Sequence, residues 1–290
     1  MFFWASLSLT LGRDFTFLSY NLKNFLYSSH QRKGEEPRKS FKPATEIEAL
    51  ISVITKASPD ILGICEIGTM QDLTQFQSLL TKAGLNYQYM EYVDAADSTR
   101  HLALLSKFPI VQRLSCNRYS YQICGDNYPL RRGLLHVALR IGEDTVHVIG
   151  AHLKSQRLST TVDQAYMRLN EAHLCRKHIN KFLEQHPGAK LLLYGDFNDS
   201  FRSKPLSILK GFYGTPFYLK PLNLCDSRGD YWTHYWDHQR EYSVFDYVLC
   251  NKPLVRAVDL SQSRIIDSPE TTLASDHRPL FVKFSLSDTL

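Results

Sequence analysis

A chain of 290 residues has room for one large core and is short for two full domains. With 43% hydrophobic and 22% charged residues it has no bias toward disorder, and 12% aromatics supply a thick core. A net charge of +5 suits a polyanionic partner without requiring one, and the six cysteines contain no CxxC pair, so no zinc site is suggested.

In chain order, residues 1–12 (MFFWASLSLTLG) are apolar but shorter than the roughly 20 residues of a spanning helix, and they lack the basic start of a secretory signal. They read as an N-terminal extension or a signal remnant ahead of one domain over 13–290, with cytoplasmic and exported locations both open. No later segment is apolar for long enough to cross a membrane, and a soluble monomer with no protein partner is expected.

Residues 15–20 (FTFLSY) make a β-rich apolar run, and 28–43 (SSHQRKGEEPRKSFKP) a polar, exposed loop. Ile47, Leu50, Ile51 and Ile54 give 45–56 the spacing of an amphipathic helix, and Pro59 ends it before a buried strand at 61–65. A second helix over 72–83 closes at Gly84, and strands are expected at 87–91, 102–106, 134–141 and 145–151. The longest helix runs over 162–185 with Ala165, Leu169, Ala172, Ile179 and Phe182 inward, and His186-Pro187-Gly188 stops it. Strands at 190–194, 245–250 and 280–284 complete a mixed α and β pattern without repeats. Cys65 and Cys250 read as buried thiols. Cys116 and Cys124 bracket a short polar stretch that suits either a small disulfide loop or two free thiols.

Polar residues stand directly after or before buried runs: Asn21, Glu66, His152 with Lys154, Asp196 with Asn198, Asp246, and Asp276 with His277. Such positions lie where a sheet meets solvent and where sites are built. Singly, an Asn there forms a turn, Glu66 is a surface charge, and Asp276-His277 is a helix cap or surface pair. The recurrence of one placement in all of them favours a shared site. The aromatic stretch 231–236 (YWTHYW) reads as a packed edge or a wall beside that site.

The ordered set YN, CE, AHLKS, GDFN, FDYV and SDHRP, from Asn21 to Pro279, resembles the endonuclease/exonuclease/phosphatase superfamily. That group includes secreted DNases, AP endonucleases, neutral sphingomyelinases and inositol-polyphosphate phosphatases. The resemblance implies a DNase I-like fold, a four-layer α/β/β/α sandwich of two packed mixed β-sheets flanked by helices, with the site at one rim. It also implies Mg²⁺ or Mn²⁺ held by Glu66, with Asn21 assisting at metal or phosphate and Asp276 adding a carboxylate. Asp196 would orient or deprotonate the attacking water, and Asn198 would donate to the phosphate. His277 would contact the scissile phosphate while Asp246 fixes its tautomer. His152 would bind phosphate or act as an acid toward the leaving oxygen. Lys154 and Arg132 are phosphate contacts in this reading, with Arg131 an equal candidate for the arginine.

The chain departs from AP endonucleases at Lys23, where they carry an acidic ligand, at His152, where they carry Tyr, and at Ser243, where they carry an aromatic. In secreted DNases a Glu backs the equivalent of His152, and the matching position here is Thr99. The leading expectation is a metal-dependent nuclease leaving 5′-phosphate. The alternative is a small-molecule or lipid phosphoesterase, for which no long hydrophobic loop speaks. A binding protein that has lost the chemistry is disfavoured by the complete residue set.

Overall fold

Alternation along the first strand sets the layering. In the computed structural model, which describes residues 13–25, 27–30, 38–157 and 162–286, β1 (Arg13–Phe25) sends Phe15 and Phe17 to one face and Leu18, Tyr20 and Leu22 to the other. Both faces are buried, so β1 lies inside a stack. A hairpin of β2 (Tyr27–His30) and β3 (Arg38–Phe41) follows, then α1 (Ala44–Ala57), β4 (Ile61–Ile67), α2 (Met70–Lys82), β5 (Tyr89–Val93), β6 (His101–Ser106) and β7 (Ile110–Arg113). The hairpin of β8 (Ser120–Ile123) and β9 (Asp126–Pro129) leads into β10 (Leu135–Ile141), β11 (Asp144–Gly150), α3 (Gln164–Gln185), β12 (Lys190–Asp196) and α4 (Lys204–Lys210). Last come β13 (Leu219–Pro221), the hairpin of β14 (His234–Trp236) and β15 (Glu241–Ser243), β16 (Asp246–Asn251), α5 (Lys252–Val255), β17 (Val258–Ile265), α6 (Thr271–Ala274) and β18 (Leu280–Leu286).

Two six-stranded sheets result, ordered β17-β18-β1-β4-β6-β5 and β13-β16-β12-β11-β10-β7. Each holds a single parallel pair, β1 with β4 and β11 with β12, among antiparallel neighbours. A parallel pair requires a crossover, and α1 and α3 supply the two. The faces that meet between the sheets form one core around Phe17, Leu104, Val148, Leu192 and Tyr194. Leu50, Ile54, Leu73 and Phe76 of α1 and α2 cover the outer face of the first sheet. Ala172, Ile179, Phe182 and Leu206 of α3 and α4 cover that of the second. The layers are α/β/β/α, as the resemblance implies. Tyr194 spans the inner core: its hydroxyl donates to the Ala103 carbonyl (3.0 Å), and a Cβ on Gly63 or Gly150 would fall 2.5 or 2.6 Å from its side chain.

The sequence expectations need three corrections. The polar stretch 28–43 is not a simple exposed loop: it carries the β2–β3 hairpin and ends in the buried Lys42, whose amine donates to the Leu22 (3.1 Å) and Lys23 (3.3 Å) carbonyls. In α3 Ala165 is exposed, and Arg168, Glu171 and Arg176 are buried, because this helix packs charged groups against loops and against its neighbour α4. The strand expected at 87–91 runs Tyr89–Val93, since Tyr87 is held by its hydroxyl bond to the Pro59 carbonyl (2.9 Å). Of the two readings left open for Cys116 and Cys124, the structure has the free thiols. The N-terminal extension, residues 1–12, lies outside the described residues. Among the described residues no helix is long and apolar enough to cross a membrane.

Candidate active site

Parallel pairing decides where the polar residues gather. Asn21 and Glu66 stand at the C-terminal ends of β1 and β4, and His152 and Asp196 at those of β11 and β12. The open end beyond the carboxyl edges of parallel strands is where α/β folds build sites. The two sheets meet there: the Asn21 side-chain amide donates to Asp196 Oδ2 (3.0 Å) across the sandwich. Antiparallel neighbours deliver the rest. Asp246, at the start of β16, is in register with Asp196. His277 precedes β18, whose Leu280 pairs with Ser19 of β1.

The backbone is bent to aim these groups. The β1–β4 register shifts between Asn21 and Phe25, and the β4–β6 register shifts between Cys65 and Ile67, leaving Glu66 as a bulge residue at φ +65°. Lys23 (φ +52°), Asn24 (φ +58°) and Asn198 (φ +50°) are also left-handed, so four of the seven described non-glycine residues of this kind sit at this rim. Local hydrogen bonds hold the turns: Lys23 N donates to Asn21 Oδ1 (3.0 Å), Asn24 N to Glu66 Oε2 (3.0 Å), and Asn198 N to Asp196 Oδ1 (2.9 Å).

His277 Nδ1 lies 2.7 Å from Asp246 Oδ2, which fixes the ring, and its Nε2 faces Asp196 Oδ2 (3.7 Å) and the Asn21 amide (3.4 Å). The Ser275 hydroxyl donates to the Asn21 carbonyl (2.8 Å) and accepts from His277 N (3.1 Å), tying the end of β1 to the histidine. His152 Nε2 stands 3.5 Å from Asp196 Oδ2 and 3.9 Å from Glu66 Oε1. Its Nδ1 has no hydrogen-bond partner among the described residues, and Thr99 instead caps Asp97 (3.1 and 3.0 Å). Asn198 directs its amide to the Leu153 carbonyl (3.1 Å).

Burial raises the Asp196 carboxyl to about 7, with His277 opposing the rise and Asp246 and Glu66 adding to it. Burial disfavours a charge on His277, yet Asp246 and Asp196 outweigh it and hold the imidazole above its usual range. His152 is pushed below its usual range by burial, and Arg132 and Arg100 add to that. One imidazole is thus set up as a cation and the other as a neutral ring within a few ångströms.

Ligand atoms of Asp196, Asp246 and His277 all lie within 4.8 Å of one another, a grouping able to hold a divalent ion. Glu66 adds a further carboxylate at the same rim. The donor set is dominated by carboxylate oxygens and fits a hard cation. Asp276 lies beside this group, half-buried, with its carboxylate 3.4 Å from the Ser275 hydroxyl. Arg132 is buried, with Nε 3.1 Å from Asp97 Oδ2 and Nη1 without a hydrogen-bond partner among the described residues. Arg131 reaches the same carboxylate at 3.6 Å from a more exposed position. Lys154 is anchored by its backbone N, which donates to Glu171 Oε2 (2.6 Å).

Sequence reasoning missed three participants. Arg100 places Nε 3.5 Å from Glu66 Oε2. Glu171 is a buried carboxylate beneath Lys154. His234 lays its ring against His277, with centroids 4.6 Å apart, and its backbone pairs with that of His277. None stands in a strand-end motif, and only the YWTHYW stretch pointed toward His234. Among the histidines outside the motifs, His178, His136 and His147 form a hydrogen-bonded chain that starts at the Tyr119 hydroxyl, with steps of 2.8, 2.8 and 3.2 Å.

A model of the endonuclease/exonuclease/phosphatase family matches residues 23–258. No curated protein sequence gives a match. Truncated Caenorhabditis elegans TDP2 is similar in structure at a TM-score of 0.63, with 19% identity over 94% of this chain and 98% of that one. The human nocturnin catalytic domain with bound sulfate gives 0.66, with 18% identity over 96% of both chains. Sphingomyelinase C from Streptomyces griseocarneus gives 0.57, with 16% identity over 94% and 99%. These likenesses establish a shared fold, and the family match covers most of the sequence. The chain therefore belongs to the endonuclease/exonuclease/phosphatase family and is one of its phosphoesterases.

Proposed function

We propose that the protein hydrolyses nucleic-acid phosphodiesters with a divalent metal ion, by in-line attack of water, leaving a 5′-phosphate. The observation that carries this reading is the convergence of Asn21, Glu66, His152, Asp196, Asp246 and His277 on one point, with cationic side chains around it. Glu66 would hold Mg²⁺ or Mn²⁺ with help from Asn21 and Asp276. The Asp196, Asp246 and His277 grouping would have to break the His277–Asp246 bond to serve the same end. A bound ion neutralises charge on the phosphoryl oxygens and stabilises the departing oxygen.

Asp196 orients the attacking water and takes its proton, a role suited to a carboxyl raised toward neutrality. Asn198 and the His277 imidazolium donate to the phosphate, and Asp246 keeps the imidazolium oriented and charged. His152 lines the opposite side and contacts the phosphate or the leaving oxygen. Arg132, whose Nη1 has no hydrogen-bond partner among the described residues, and Lys154 bind phosphate oxygens beyond the centre. The net charge of +5 and the exposed rings of Tyr231, Trp236 and Tyr242, in and beside the β14–β15 hairpin whose His234 packs on His277, favour a polyanion with stackable bases. A small-molecule or lipid phosphoester is the second reading, favoured by the fold shared with a sphingomyelinase.

Plasmid, single-stranded DNA, RNA, an abasic duplex, a chromogenic phosphodiester, inositol phosphates and sphingomyelin, each with Mg²⁺, Mn²⁺ or EDTA, separate the two. Nucleic-acid cleavage that EDTA and Asp196→Ala both abolish supports the proposal. Turnover confined to inositol phosphates or sphingomyelin overturns it in favour of the second reading.

A further inference from the structure

The two most exposed large hydrophobic side chains among the described residues are neighbours: Phe212 at 85% and Tyr213 at 88% exposure. They form the tip of a turn between Gly211 (φ +72°) and Gly214 (φ +82°), just past α4. The turn is held at its base. The buried Arg176 of α3 donates to the Leu209 carbonyl before the turn (3.1 Å) and to the Phe217 carbonyl after it (2.5 Å). Within the turn, the Thr215 hydroxyl donates to the Phe212 carbonyl (2.8 Å). A turn pinned at its base thus presents two aromatic side chains to water, Tyr213 packing edge-on against Tyr218 (centroids 5.3 Å), and a paired exposed apolar surface of this kind marks an interaction site.

The charges along the segment that carries the tip have one sign. Between Asp199 and Asp226 the chain carries Arg202, Lys204, Lys210 and Lys220 and no acidic residue. Lys210 also places its amine over the Phe201 ring, 4.6 Å from the centroid. Paired aromatic tips with a basic surround match the interfacial zone of an anionic bilayer, where rings enter the headgroup layer and lysines meet lipid phosphates. A single-stranded nucleic acid fits less well, because its stacking platforms line a groove that tracks the backbone, whereas these rings sit at the tip of one short turn. We propose that the Phe212–Tyr213 tip and its surrounding cations dock the protein reversibly on anionic lipid surfaces. The proposal does not depend on which ester the catalytic rim cleaves.

The test is co-sedimentation of the full chain with phosphatidylcholine vesicles that contain or lack phosphatidylserine. Binding is expected with the anionic vesicles and is expected to weaken as salt rises. A Phe212→Ala/Tyr213→Ala variant is expected to partition at least about tenfold less. A Lys204→Gln/Lys210→Gln variant is expected to lose about fivefold per lysine. Neither pair belongs to the catalytic rim, so thermal melts and turnover of a soluble phosphodiester should match the parent. The proposal is overturned if the parent ignores anionic vesicles, if the aromatic variant binds them as well as the parent, or if the variant loses affinity for a single-stranded oligonucleotide instead.

Discussion

Replacing Glu171 with glutamine isolates the cost of one buried charge. Glu171 lies inside α3, with Oε2 accepting from Lys154 N at 2.6 Å and Oε1 without a hydrogen-bond partner among the described residues. Burial lifts its carboxyl from 4.5 to about 7, against the pull of Arg132 and of the Lys154 backbone bond. Between those values the folded protein holds a proton that the unfolded chain has released. Stability must therefore fall as pH rises from about 4.5 to about 7 and stay level above that. A shift of this size corresponds to on the order of 3 kcal/mol. Glutamine cannot ionise and keeps an oxygen for Lys154 N, so Glu171→Gln should gain on the parent by about that amount from the acid end of the window to the alkaline end. Urea unfolding across the window measures the difference directly, because all other titrating groups are common to both proteins. Parallel pH profiles for parent and variant would refute the reasoning.

Asp246→Asn should lower kcat by about a thousandfold or more while leaving the melting temperature close to the parent's, since the amide cannot hold the His277 imidazolium; steady-state kinetics with a circular dichroism melt checks both. Gly63→Ala should cost about 1–3 kcal/mol, because its Cβ would meet Tyr194 and Phe17 in a packed core, and urea titration reads the loss. On the acid side, burial lowers His136 to about 2 and His147 and His178 to about 4, below the ordinary 6.5. The unfolded chain therefore takes up protons first as pH falls through 6.5, and stability from these groups is lost between about 6.5 and 4, and for His136 on down to about 2. His136→Gln should make that acid fall shallower, as seen in thermal melts at stepped pH.

Residues that obey a local rule were legible in the sequence. The buried strands announce themselves as apolar runs, and a polar residue at the end of each run marks the rim, so Asn21, Glu66, His152, Asp196, Asp246 and His277 could be selected before any fold was known. Groups whose role depends on a distant neighbour were not legible. Glu171 and Arg176 break the apolar period of α3, because they bond backbone atoms of other segments, at Lys154, Leu209 and Phe217. Arg100 meets Glu66 only after β4 and β6 pair. The edge strand β17 carries an exposed middle (Leu260, Ser261, Gln262) that no strand pattern reveals. Lys42 looks like one more surface charge until the Leu22 and Lys23 carbonyls are found waiting for its amine.

The left-handed residues at the rim imply a conflict between durability and turnover. Each of Lys23, Asn24, Glu66 and Asn198 occupies a conformation that glycine adopts more comfortably, by roughly 1 kcal/mol per position. Selection for heat resistance alone would thus drift toward Lys23→Gly or Asn24→Gly, gaining a higher melting temperature. It would loosen the same turns that keep Asn21 and Glu66 aimed. Four uncomfortable side chains gathered in one place are a cost to the fold that serves the aim of the rim.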